Sequence, residues 1–132
     1  MLFKILPMNK IVFALAIVMA TSAYKNPLKL NDIIVALNTG NANNVSKYFD
    51  NTVEISIAGK SSNYSKNQAE TILNDFFDNN TVKSFAVIHR GESGEAEYCI
   101  GTLITQKGSY RTTLNLKQKG DKKVLQEVKF EK

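Results

Sequence analysis

The chain has 132 residues, with 17 lysines and arginines against 12 acidic residues and a formal net charge of +5 at pH 7. This length fits a single domain, and a hydrophobic content of 43% with 22% charged residues argues against a globally disordered protein. The lysines are spread along the sequence and only two arginines accompany them, which argues against a nucleic-acid-binding protein.

The first 23 residues have the pattern of a secretory signal peptide. Lys4 and Lys10 precede an uninterrupted apolar run over residues 11–20, and residues 21–23 are small, as a signal peptidase requires. The apolar run is shorter than the roughly 20 residues of a membrane-spanning helix. We therefore expect a cleaved signal, with no stable membrane span after cleavage, in preference to a retained anchor.

Cleavage after residue 23 predicts an exported protein, periplasmic or extracellular, with one domain over residues 24–132. Met8 is an alternative start that would shorten the same signal. A lipoprotein would carry a cysteine at its mature N-terminus, but Tyr24 stands there. The single cysteine, Cys99, has no intrachain partner and lies in an apolar run, so we interpret it as a buried, inert thiol and not as a nucleophile.

Two helices and a strand are predicted in the first half of this domain. Helical spacing of apolar residues from Leu28 to Leu37, ended by Thr39-Gly40, predicts a first helix. A second, capped by an asparagine, is predicted over residues 42–49, with Tyr48 and Phe49 on its inner side. Alternation over residues 52–57 then predicts a half-buried strand, and residues 59–63 are interpreted as its exit loop.

The next segment predicts a long amphipathic helix. Ser65 and Gln68 have the spacing of a capping box, in which each side chain accepts a hydrogen bond from a backbone N–H that the first turn leaves unpaired. One face of the helix is apolar throughout: Ala69, Ile72, Leu73, Phe76 and Phe77. Such a face requires a broad apolar partner.

The remainder of the chain supplies that partner as four strands separated by short glycine-containing turns, over residues 82–90, 96–106, 110–118 and 123–130. The order of elements predicts an α+β fold in which N-terminal helices pack on a curved antiparallel sheet. The alternation of apolar and polar residues along the strands predicts one face packed against the helices and one solvent-exposed face.

Several motifs along the mature chain resemble those of domain of unknown function family 4783. The residues that carry the resemblance are 40–50, 53–60, 64–77, 84–91, 100–103 and 110–111. The resemblance implies the cone-shaped, nuclear transport factor two-like fold of the cystatin-like kind and secretion by bacteria of the Bacteroidota. It brings no established activity and no catalytic residue.

Four residues are candidates for ligand binding: His89, Tyr98, Tyr110 and Arg111. On a regular strand His89 would share the helix-covered face with Phe85, where it would act as a structural hydrogen-bonding residue or line a pocket. Tyr98 and Tyr110 begin the next two strands and could stand nearby, although amphipathic aromatic residues at the core edge would look the same. The alternation places Arg111 on the solvent-exposed face.

The sequence indicates no catalytic constellation, metal site or cofactor. One histidine excludes a histidine-rich metal site, and the strand carboxylates Glu54 and Glu127 alternate outward, unlike the inward base that an isomerase of this superfamily requires. We therefore expect a non-catalytic module that binds a small ligand or a protein. The protein partner could be a second copy of the chain, which would give a homodimer. The alternative is a ketosteroid-isomerase-like or SnoaL-like enzyme with His89 as acid or base.

Overall fold

The computed structural model describes residues 28–132, so the predicted signal peptide and Tyr24 lie outside the described residues. This part of the chain contains three helices, α1 (Leu28–Asn38), α2 (Ala42–Ser46) and α3 (Lys66–Asn79). The same residues form six strands, β1 (Phe49–Ile57), β2 (Lys60–Ser65), β3 (Val82–Ser93), β4 (Ala96–Thr105), β5 (Gly108–Lys119) and β6 (Lys122–Glu131).

The six strands form one sheet in the order β2-β1-β6-β5-β4-β3. The predicted antiparallel meander from β3 to β6 is confirmed. One pair differs from the rest, because β1 lies parallel to β6, with Ile55 beside Val128. This pair joins the first strand to the last, so the chain between them makes the long crossover that a parallel pair requires.

Two predicted boundaries in the first half are wrong. Residues 60–63, predicted as a loop, belong to β2, which pairs with β1 through a two-residue turn at Ala58 and Gly59, both with positive φ. Such turns match the twist of the strands they connect. The second helix has its predicted asparagine cap, Asn41, but ends at Ser46, and Phe49 is buried as the first residue of β1.

Helix α3 begins and packs as predicted. Ser65 and Gln68 form the capping box, each side chain accepting a hydrogen bond from the backbone N–H of the other. Ala69, Leu73, Phe76 and Phe77 are buried, while Ile72 is half-buried.

The face of the sheet that α3 covers, called the inner face, carries residues such as Phe85, Leu103, Tyr110, Leu114 and Phe130, all buried. The Phe76 ring stacks on Phe130 with centroids 4.4 Å apart and meets the edge of Tyr110 at 5.1 Å. Burial of each such ring contributes about 2–3 kcal/mol. Aromatic side chains thus fill this part of the space between helix and sheet, and the opposite side, the outer face, is the one left to solvent.

Candidate functional site

His89 lies on the outer face, whereas the alternation of residues along the sequence predicted the helix-covered face. The register of β3 against β4 shifts between Val87, opposite Gly101, and His89, opposite Ile100, so that Ile88 has no partner on β4. A bulge of one residue reverses the direction of every side chain after it. The prediction that His89 points to the helix-covered side is therefore wrong, and its side chain is exposed.

The structure brings His89 and Tyr98 together. The Nε2 atom of His89 is 2.8 Å from the Tyr98 hydroxyl oxygen, and the two rings are 5.5 Å apart. Tyr98 lies opposite Gly91, where an added Cβ would stand 2.5 Å from the tyrosine ring. Glycine at this position therefore allows the ring to lie across β3 and reach the histidine.

The other two candidates do not join this pair. Tyr110 is 6% exposed on the inner face, and its hydroxyl donates a hydrogen bond to Oδ1 of Asn80 at 3.1 Å. Tyr110 is thus a core residue with a satisfied polar group. Arg111 is exposed on the outer face as expected, but on β5, opposite Thr102 of β4 and Glu131 of β6.

Two further expectations are confirmed. Cys99 is fully buried as predicted, and burial raises the pKa of its thiol. Glu54 and Glu127 both face outward and lie directly opposite one another on β1 and β6. The hydrogen bond to Glu127, followed by its charge, raises the pKa of Glu54.

A buried carboxylate at Asp50 escaped sequence reasoning. Its Oδ2 is 2.8 Å from Lys119 Nζ, and Gln126 donates a second hydrogen bond at 3.1 Å. The hydrogen bond from Lys119 is the largest cause of a lowered pKa at Asp50. These partners tie β1 to β5 and β6, and only the fold brings them together.

Neither His89 nor Tyr98 lines any of the following three clefts, which are formed by residues within 28–132. The first, of about 310 Å³, lies between α1 and α2, where the Tyr48 hydroxyl donates a hydrogen bond to Asp32 at 2.9 Å. The second, of about 420 Å³, lies between β2 and α3 beside Tyr64 and Ile72. The third, of about 280 Å³, lies on the outer face between Glu54 and Glu127.

Within residues 28–132, no group of three or more histidine, cysteine or carboxylate side chains is placed to hold a metal ion. No helix in that part of the chain is both long and apolar enough to cross a membrane.

Comparison with known proteins gives a consistent family signal. The sequence model described as "Domain of unknown function (DUF4783)" matches residues 30–131. Crystal structures of DUF4783 family proteins from Bacteroides ovatus and Bacteroides uniformis are each 31% identical with a TM-score of 0.75. They cover 76% and 77% of this chain, which spans 92% and 94% of theirs.

A more distant structure gives the fold alone. An NTF2-like protein of unknown function from Cytophaga hutchinsonii is 12% identical, with a TM-score of 0.56 over 77% of this chain and 84% of its own. No curated protein matches the chain.

Proposed function

The chain belongs to the DUF4783 family and has an NTF2-like fold, and from that premise we propose that it is an exported, non-catalytic module that assembles with protein through the outer face of its sheet. The observation that carries the proposal is the exposed His89–Tyr98 pair beside the bulge at Ile88. The family has no established activity, so the argument rests on the surface itself.

The inner face offers little room for a ligand where the candidate residues were expected. The Phe76 ring packs against Phe77, Tyr110 and Phe130, and all four side chains are between 0% and 6% exposed. A small-molecule site requires a concave pocket with convergent polar groups. The hydroxyl that would serve such a pocket, that of Tyr110, is already bonded to Asn80.

The outer face near β3 and β4 has the chemistry of a protein contact. Ile88 is 67% exposed in the β3 bulge next to His89, and Ile104 is 40% exposed near the far end of β4. Exposed apolar side chains next to tyrosine and histidine are typical of interface centres, where aromatic residues contribute most of the binding energy. The same face could instead bind a small ligand, which is the alternative within this proposal.

A second copy of the chain is the partner to test first, because symmetric self-association is the commonest assembly of soluble proteins. Sedimentation equilibrium of the wild type should show concentration-dependent dimers. Ile88→Asp should abolish them, because an aspartate there would bury an unpaired charge. Val35→Asp is the matched control, since Val35 is 64% exposed on α1, and it should leave association unchanged.

A strict monomer at every concentration, together with thermal-shift and calorimetric screens that find no ligand, would refute the proposal. Equal loss of association in Ile88→Asp and Val35→Asp would place the contact elsewhere.

The His89–Tyr98 contact also supports the alternative, an isomerase-like enzyme. His89 would act as acid or base, and Tyr98, in place of the buried Tyr110, would donate the hydrogen bond to substrate. The pair is exposed, which weakens any electrostatic catalysis because water screens it. Unchanged turnover of a confirmed substrate by His89→Ala would exclude this mechanism.

Export is part of the proposal and rests on the sequence of residues 1–23 alone. N-terminal sequencing of the protein from its native host should begin at Tyr24. An intact N-terminus in a cytoplasmic fraction would contradict export.

A further inference from the structure

Strand β2 is one edge of the sheet, and in the part of the chain that the structure describes its pairing partner is β1 alone. The two-residue turn before β2 bonds the backbone N–H of Lys60 to the C=O of Ile57 on β1. Hydrogen-bonded and non-hydrogen-bonded pairs alternate along an antiparallel ladder, so the N–H and C=O groups of Ser61 and Asn63 point away from β1. These two residues therefore present unpaired backbone groups at the edge.

The opposite edge of the sheet, β3, is protected in two ways. A bulge at Ile88 interrupts its register, and the backbone N–H of Phe85 donates a hydrogen bond to Oδ1 of Asn38 on α1 at 2.9 Å. Proteins protect edge strands with bulges and covering groups because an open edge pairs readily with another chain. Strand β2 is short, but it pairs with β1 without a register shift. Among the described residues, Ser65 is the one residue of β2 whose backbone bonds to a side chain.

The second cleft lies beside this open edge, between β2 and α3. It holds about 420 Å³, and its apolar lining comes from Tyr64 and Ile72. Ile72 belongs to the apolar face of α3, yet it is only half-buried, whereas Leu73 and Phe76 on the same face are buried. The sheet thus ends before it covers the whole apolar face of the helix, and one further strand beside β2 would bury Ile72.

The charged side chains at the two ends of β2 are basic. Lys60 begins the strand and Lys66 directly follows it, and both are exposed. Neither has a carboxylate within 4.0 Å among the described residues. Glu54 of β1 lies opposite Asn63 on the outer face and does not line the second cleft. A strand that complements this edge therefore has acidic residues at its ends and uncharged residues on its outer side.

We propose that β2 binds an extended peptide segment of a partner protein as an added antiparallel strand. The residues of this segment opposite Ser61 and Asn63 exchange backbone hydrogen bonds with them. The alternate residues, opposite Ser62 and Tyr64, place apolar side chains in the cleft against Ile72. In strand addition of this kind, main-chain hydrogen bonds give affinity and pockets for alternate side chains give specificity. The partner segment thus has alternating aliphatic residues between acidic ends.

This edge lies at the far side of the sheet from β3, so the inference does not depend on the assembly surface proposed at His89 and Tyr98. The two surfaces can be tested separately on the same protein.

The test titrates isotopically labelled protein with the peptide acetyl-Glu-Val-Thr-Val-Thr-Glu-amide and follows the backbone NMR signals. In the antiparallel register the threonines lie opposite Asn63 and Ser61, and the valines lie on the side of the cleft. Saturable shifts are expected at these two residues and at Ile72. Absence of saturable shifts up to the solubility limit of the peptide, or shifts centred on His89 and Tyr98, would overturn the proposal.

Methylated peptides test the backbone hydrogen bonds without changing the protein. Methyl groups on the backbone nitrogens of both threonines remove the donors that face β2 and should weaken binding about tenfold or more. Methyl groups on the valine nitrogens are the matched control, because those N–H groups point away from β2, and this peptide should bind like the parent. Equal weakening by both kinds of methylation would contradict strand addition. Lysine in place of both glutamates should weaken binding about fivefold, and equal affinity would contradict the charge complementarity.

Two variants of the protein test the edge and the cleft. Asn63→Pro removes an N–H group that points away from β1, a position where an edge strand tolerates proline, and should weaken binding about tenfold. Ile72→Ala removes apolar surface that the valines cover and should also weaken binding about tenfold. Val35→Ala, at an exposed position on α1, is the control for Ile72→Ala and should bind like the wild type.

Wild-type affinity in both Asn63→Pro and Ile72→Ala would overturn the proposal. Ile88→Asp separates it from the proposed assembly surface, because this variant should lose self-association and keep the affinity for the peptide. Loss of peptide binding in Ile88→Asp would assign the peptide to the outer face and overturn the assignment to β2.

Discussion

Glycine at position 91 determines whether two candidate side chains can meet. Its missing side chain leaves room for the Tyr98 ring, which a Cβ would approach to 2.5 Å, and the ring then reaches His89. The neighbouring Gly101 plays a different role, because a Cβ there would meet the backbone oxygen of Ala86 at 2.6 Å as well as the Phe85 ring. A side chain can swing away, whereas the backbone of a paired strand cannot.

Gly91→Ala should therefore break the His89–Tyr98 hydrogen bond at a cost of no more than about 1 kcal/mol in the free energy of unfolding. Gly101→Ala, the comparison variant, should cost about 1–3 kcal/mol through overpacking while leaving the pair intact. Imidazole nitrogen NMR signals report the hydrogen bond and denaturant unfolding reports the stability. An unchanged His89 signal in Gly91→Ala would show that the ring position does not depend on glycine.

The Glu54–Glu127 pair makes stability depend on pH in a defined direction. The raised pKa of Glu54 means that the folded state holds a proton more tightly than the unfolded chain, so stability falls as pH rises from about 4.3 through the raised value. Glu54→Gln removes this effect. Its denaturation midpoint should exceed that of the wild type at neutral pH, and the difference should vanish in acid; a constant difference at all pH values would contradict the pairing.

At the scale of elements, local sequence signals predicted α3 and the last four strands because those signals are dense and self-consistent. A cap, a 3.6-residue apolar period and regular glycine turns each indicate the same structure. Strand β2 has no such signal, since its residues are exposed apart from half-buried Tyr64, and it forms because the turn at Ala58 and Gly59 folds it against β1.

The bulge at Ile88 is a second feature that the local sequence does not predict, and it affects the candidate site. Alternation assigns a face only if no residue is inserted, and nothing in the local sequence marks Ile88 as the extra one. The residue types of the site were therefore predictable, while the face of His89, the role of Tyr110 and the partners of Asp50 required the tertiary structure.

The capping box of α3 is the element whose contribution is easiest to isolate. Ser65→Ala removes the side chain that accepts from the Gln68 backbone N–H and should cost about 1 kcal/mol of stability. Ser62→Ala, an exposed position on the same strand, should remain within about 0.5 kcal/mol of the wild type. Denaturant unfolding midpoints measure the stability of both variants. Equal midpoints for the two would mean that the cap does not contribute to stability.

At the scale of the whole domain, the described helices and sheet depend on the aromatic contact between α3 and β6. Phe76→Ala would remove the ring stacked on Phe130 and should cost about 3–5 kcal/mol, because the fixed sheet cannot close over the cavity. Val35→Ala, at an exposed apolar position, is the control and should be nearly neutral. A small loss in Phe76→Ala would mean that the inner side is loosely filled.

The central claim is that this domain binds through the outer face of its sheet, because aromatic side chains fill the inner side around Phe76. Chemical-shift mapping of the labelled domain, against its own unlabelled copy and a library of small fragments, tests it most directly. The account predicts shifts at outer-face residues such as His89, Tyr98 and Ile100, with Phe76, Tyr110 and Phe130 unmoved. Shifts concentrated on those three aromatic residues would contradict it, because they would reveal a ligand site under α3.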